Sequence, residues 1–331
     1  MLPKPLPRPR TSHLIVPREI RIRPNWSREM TIAAGFVCTD GIVMCADSQE
    51  SLGDYKFPVD KLIIRGAHKG MTQMAFAGAG HGPMIDMAIS RIVRNIRRAT
   101  DDYDAIEDVV AETLLSLYNS EFKACPVSSE DESIIELLIG IKLYDSEVPR
   151  LYKSYATAIS QVDEIAVIGS GRAVQYQIHK LYQKYEPVRR VIPIAINLLS
   201  VAEVALRSVG GKSGIAVFHR GEGSGMGQVS GTEIEGVRRA QSTLEAWAGS
   251  LIIDLLDVAK SDEEFGLSLA QFTEVAVNLR VERLEEHRNL MAQMEGLMKA
   301  LSGLNQPTPS TPDTSEGQPS PCAEESPEKE S

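Results

Sequence analysis

The sequence predicts an α+β protein in which strands and helices arrive in pairs, followed by a long helical extension. Three observations carry this. Two β-favouring runs, residues 31–39 and 42–46, flank the two-residue hairpin signal Asp40-Gly41. Two successive segments, 82–98 and 103–122, place apolar residues at helical spacing after these strands. The chain then returns to strand-like runs and repeats the change of period. Paired helices following paired strands fit a layer of helices packed on a sheet.

The elements follow in order. Residues 1–29 are rich in proline and arginine without periodicity, so extended or disordered chain is expected there. After the hairpin, Lys61 begins the apolar run LIIRG, and residues 71–77 form another strand. The glycine-rich turn 78–82 opens a helix whose apolar face is Ile85, Ala88, Ile89, Ile92, Val93 and Ile96, with Pro83 suited to its first turn. Strand, glycine turn and helix invite a dinucleotide site. That fingerprint needs glycine where Pro83 stands, and the preceding strands read as hairpins, not a βαβ unit. The second helix carries Ile106, Val109, Val110, Leu114, Leu117 and Tyr118 on one side. Strands are expected at 134–144 and 151–159, then IAVIG, the turn Gly169-Ser170-Gly171, and a helix through about residue 185. A helix over 194–209 follows Pro193, and SGIAVFH (213–219) is a strand. Beyond Gly231 two further helices are expected, 234–259 and 267–301. The second has Val277, Val281, Leu284, Met291, Met298 and Leu301 near heptad positions, but Arg288 and Glu295 interrupt that seam, so no long coiled coil is expected. Residues 305–331, rich in Pro, Ser, Thr and Glu, read as disordered.

The hairpin also carries chemistry. Its return strand runs into Asp47-Ser48, and Lys61 begins the next apolar run, so a threonine, a carboxylate and a lysine share adjacent strands. Taken singly, Thr31 is a β-former, Asp47 a strand-end cap and Lys61 an edge charge. Together they allow a nucleophile. A threonine hydroxyl needs a base. If Thr31 is the first residue of the mature chain, its own α-amine, with an unperturbed pKa near ~8, can serve. A nearby Lys61 ammonium lowers that pKa, and Asp47 would hold Lys61 in place and balance its charge.

The spacing T-x(8)-D-G-x(4)-A-D-S, then V-D-K, then A-G-A, resembles the proteasome β subunits and their bacterial relative HslV, which are N-terminal-nucleophile (Ntn) hydrolases. The resemblance spans about residues 31–231 and is strongest over the first fifty. It implies an αββα four-layer sandwich with a C-terminal helical extension. It places the nucleophile on Thr31, the structural aspartate on Asp47, the active-site lysine on Lys61, the oxyanion-hole glycine on Gly78 and the serine of the G-S-G turn on Ser170. The division that follows is an extension at 1–30, a hydrolase domain at 31–231, helices at 232–304 and a tail at 305–331.

The chain also departs from the pattern. Met30 stands where self-processing subunits have glycine. The stretch that carries the family's second active-site aspartate aligns on residues 207–212, with Ser208 at the aspartate's place and Gly211 at a serine's; a small shift lets Ser213 serve. Translation from Met30 with removal of the initiator methionine would expose Thr31, as HslV does. Autolysis at Met30-Thr31 and retention of the extension are the alternatives.

Composition narrows the function. A net charge of −10 argues against a nucleic-acid binder. The four cysteines form no C-x-x-C pair, and the six histidines are scattered, so neither metal nor cofactor is expected. No run reaches membrane-spanning length and no secretory leader is recognisable, which predicts a cytoplasmic protein. The expected function is threonine-dependent hydrolysis of peptide bonds by a homo-oligomer. A catalytically silent subunit and a small-amide hydrolase are the alternatives, and any ATPase partner is not legible in the chain.

Overall fold

The computed structural model describes residues 31–304 apart from 53–54, 67–71, 97–101, 123–133, 207–208 and 222–223, with backbone alone at a few further positions. The extension ahead of Thr31, Ser208 and the tail from 305 onward therefore lie outside the described residues.

Two five-stranded antiparallel sheets form the centre. In the first the order is β10 (Ile165–Gly169), β1 (Ile32–Cys38), β2 (Gly41–Ala46), β11 (Gly214–His219) and β12 (Met226–Gln228). In the second it is β5 (Leu62–Arg65), β6 (Gln73–Ala79), β7 (Glu136–Lys142), β8 (Arg150–Tyr155) and β9 (Ala158–Gln161). A separate hairpin pairs β3 (Gln49–Leu52) with β4 (Tyr55–Pro58).

Three apolar clusters explain why the strands read as near-continuous hydrophobic runs: their two faces are both buried. Period-two alternation sends Ile32, Ala34 and Phe36 to one side of the first sheet, where α3 (Gln175–Leu181) and α4 (Val188–Ala205) cover them. Ala33, Met44 and Phe218 turn to the other side and meet Ala75, Ala77 and Leu138 of the second sheet. The far face of that sheet, with Phe76 and Ile139, lies under α1 (Gly82–Ile96) and α2 (Tyr103–Leu117). Glycine sets the spacing between the sheets: a Cβ on Gly140 would fall 2.6 Å from Met44 Sδ and 2.8 Å from the Phe218 ring.

Several expected boundaries shift for identifiable reasons. The strand expected over 151–159 is a hairpin, β8 and β9, because Ala156 takes a left-handed φ of 52° without any glycine to announce it. α4 begins at Val188 and carries Pro193 inside it. The Asp40 carboxylate of the β1–β2 turn accepts the Val188 N–H at 2.7 Å, so tertiary capping starts the helix a turn earlier than its proline suggests. The second helix ends at Leu117 and runs on as one π turn, Tyr118–Phe122.

The described chain divides into two units, the first running to Ala246 and the second from Trp247 onward. The first part of α5 (Gly231–Leu256) belongs to the former and seats Ile234 and Val237 in the core beside α4. In the second unit α6 (Asp262–Leu304) opens on a reciprocal cap. Ser261 N–H donates to Glu264 Oε2 at 2.9 Å and Glu264 N–H donates to Ser261 Oγ at 3.3 Å. Among the described residues no helix is long and apolar enough to cross a membrane.

Candidate active site

Sheet register brings four strand ends together. Ala33 pairs with Ala46 and Ile32 with Gly169, so Thr31 emerges between Asp47-Ser48 on one side and Ser170 on the other. The second sheet arrives from above: Ala79 packs within 3.0 Å of where a Gly169 Cβ would lie, and Leu62 within 3.2 Å of a Gly214 Cβ. Lys61, immediately before Leu62, is thereby held over the end of the first sheet.

Asp47 is the hub. It is 3% exposed, and its Oδ1 accepts the Ile32 N–H at 3.1 Å. Its Oδ2 accepts the N–H of Gln49 at 3.3 Å and of Gly210 at 3.5 Å. Lys61 Nζ donates to both oxygens at 3.2 Å from a side chain only 9% exposed. Burial pushes the Asp47 carboxyl up from its ordinary value, while the Lys61 ammonium and the Ile32 and Gln49 N–H groups pull it back down. The pair thus offers a fixed positive charge beside the start of β1, with its counter-charge secured from four directions.

Thr31 is 6% exposed. Its carbonyl accepts the Ser170 N–H at 3.0 Å and the Ser170 hydroxyl at 3.1 Å, which fixes its backbone without using its side chain. Gly169 makes this possible. Its φ is 64°, and a Cβ there would run into the Thr31 carbonyl. Gly78 lies in β6, one residue past Ala77, the partner of Leu62, and so level with Lys61. A Cβ at Gly78 would collide with the Ile85 side chain of α1, so glycine there also serves close packing of helix on sheet.

Of the residues anticipated from sequence, the structure joins Asp47 to Lys61 and Ser170 to Thr31, and sets Gly78 beside them. Ser213 is engaged elsewhere: its Oγ accepts from Arg238 at 2.6 Å, and Arg238 pairs with Glu203 at 3.4 Å. Two contributors were not among the site residues named from sequence, although Gly210 lies in the aligned stretch 207–212. Glu136 accepts the Gly169 N–H at 3.2 Å and pairs with Arg172 at 2.5 Å, steadying the turn that holds Thr31. Gly210, from the loop before β11, closes the circle around Asp47. Cys38 and Cys45 are buried bystanders, both thiols pushed up to about 12, chiefly by burial.

No protein-family model matches the chain, and no curated protein matches it in sequence. The fold is shared with solved structures of a proteasome-like class, and the particular structures are Anbu proteins. Anbu (ancestral β-subunit) from Yersinia bercovieri aligns with a TM-score of 0.55 over 69% of this chain and 97% of its own, at 14% identity. A Gly-1 mutant of Anbu from Hyphomicrobium sp. strain MC1 gives 0.54 over 66% and 96%, at 16% identity. Anbu in the helical assembly from Pseudomonas aeruginosa gives 0.53 over 64% and 92%, at 20% identity. At such identities the likeness is one of fold.

These matches correct the family drawn from the sequence. Solved structures that share this fold include Anbu proteins, a family distinct from HslV and the proteasome β subunits. The physical reason is that Thr31, Asp47 and Lys61 are spaced by a hairpin and the strand above it. Such a motif reports the architecture of the two sheets, not the branch within it.

Proposed function

We propose that this chain is a proteasome-like hydrolase of peptide or other amide bonds, with Thr31 as an N-terminal nucleophile. The observation that carries the reading is the buried Lys61–Asp47 pair fixed at the start of β1, where nothing in the packing of an apolar core calls for an ion pair. In this scheme the free amine of Thr31 takes the proton of its own hydroxyl. Lys61 keeps that amine unprotonated, and the hydroxyl oxygen attacks the substrate carbonyl. The C–N bond then breaks as the Thr31 ammonium returns its proton to the departing amine, and water cleaves the resulting ester to release the acid and restore Thr31. An N–H at Gly78 stabilises the tetrahedral oxygen, a contribution of about 3 kcal/mol where such a donor is well aimed. Ser170 holds the Thr31 backbone still.

The three apolar clusters support an αββα four-layer reading of residues 31–231 as the hydrolase domain, with 232–304 as a helical extension and 305–331 as a tail. Residues 1–30 must be absent from the working protein, because an amide-bonded Thr31 has no amine to act as base. Homo-oligomerisation belongs to the same reading, since one matched structure is a helical assembly. Protein produced with Thr31 as its first residue is expected to hydrolyse peptide amides, and protein retaining residues 1–30 is expected not to. Equal rates in a fluorogenic peptide assay would overturn the scheme.

A further inference from the structure

α6 carries apolar residues on two opposite sides. Phe265, Phe272, Val275, Leu279 and Leu290 form one stripe and are half-buried. At about 100° per residue, Leu267, Val277, Val281, Leu284 and Met291 lie half a turn away. This second stripe is open to solvent, with Val277 55%, Val281 47% and Met291 45% exposed. Scattered apolar surface residues need no explanation, but a stripe along seven turns of one helix does.

Two of the charges along this stripe say what covers it. Glu274 and Arg288 occupy seam positions, are exposed, and form no ion pair among the described residues. In a parallel pairing of two such helices each would face its own copy, setting like charges together inside an apolar contact. Reversing one helix changes this. Glu274 and Arg288 stand seven residues to either side of Val281, so an antiparallel pair centred on Val281 puts each Arg288 opposite the other copy's Glu274. In the same register Val277 comes within one residue, about 1.5 Å of rise, of Leu284, and Met291 comes equally near the small Ala270. Ala270 lies in a shallow concavity shared with Gly266, Thr273 and Val277.

We propose that this face of α6 binds a second copy of the chain in an antiparallel, isologous contact centred on Val281. Arg288 does not interrupt this seam; it selects the direction of the partner. The proposal is independent of the hydrolase reading.

Thiol cross-linking of the full-length protein tests it. Cys38 and Cys45 are buried, and Cys125→Ser with Cys322→Ser removes the remaining thiols. In that background Val281→Cys is expected to give a covalent dimer with a short bismaleimide. Leu267→Cys is expected to give none, because its two copies would lie about 40 Å apart in the antiparallel pair. Adding Arg288→Glu to Val281→Cys should cut the dimer yield about tenfold, since like charges then face each other, and adding Glu274→Arg as well should restore it. Cross-linking at both positions would indicate a parallel pair. Cross-linking at neither would leave the face to a different partner. A yield unchanged by Arg288→Glu, or not restored by the reciprocal swap, would remove the charge pairing. Each of these results overturns the proposal.

Discussion

Thr31→Ala, in protein whose first residue is position 31, is expected to lower amide hydrolysis by at least about 10³-fold in kcat while leaving the protein folded. The fold should survive because Thr31 is anchored through its main chain. Its carbonyl takes both Ser170 contacts, and its neighbour Ile32 donates to Asp47. None of these uses the threonine hydroxyl. Thr31→Ser keeps a hydroxyl on the same backbone and is expected to retain most of the rate. Steady-state kinetics on the two variants, with a thermal melt on each, separates loss of the nucleophile from loss of the site.

The second large effect is at Lys61. Lys61→Met strands a carboxylate that is 3% exposed, and breaking a buried pair from one side costs about 3–5 kcal/mol. The rate should fall too, by about 10²–10⁴-fold, as for the loss of a positioned proton-transfer system. The stability cost has a pH signature. Burial already raises Asp47 above its ordinary 3.8, and removing Lys61 removes the strongest influence holding it down. Above 3.8 the folded variant then binds the Asp47 proton more readily than the unfolded chain does, so its stability falls as pH rises through the folded value and recovers on acidification. Lys61→Met is therefore expected to be least damaging near pH 4 and most damaging at neutral pH. Asp47→Leu combined with Lys61→Met should recover stability without recovering activity. Urea midpoints across that range check each part, and a cost for Lys61→Met that does not vary with pH would contradict the assignment of Asp47.

Much of this site was legible because it depends on local sequence. The hairpin turn at Asp40-Gly41 fixes the register that puts Asp47 beside Ile32, and VDKLII announces a lysine entering a strand. The contacts that complete it come from far along the chain. Glu136 reaches Gly169 across 33 residues and Gly210 reaches Asp47 across 163, so no local spacing announces these contacts, even though Gly210 lies in the aligned stretch 207–212. The fold shows the same division. Hairpins and amphipathic helices were readable from their periods. The β8–β9 turn was hidden by an alanine in a glycine-like conformation, and the start of α4 by a cap supplied from the β1–β2 turn. The family was misread for a related reason: the sequence pattern is short and local, whereas the structures that share the fold are matched over about two thirds of the chain.

The central claim is that Thr31 is a nucleophile only as a first residue, poised by Lys61. Its most direct test is acylation by a β-lactone electrophile, followed by digestion and mass mapping of the adduct. The account predicts one acyl group, on residue 31, in protein that begins there, with much slower labelling in Lys61→Met and none when residues 1–30 precede it. An adduct on any other residue, or equal labelling of Thr31 with residues 1–30 still attached, would contradict it.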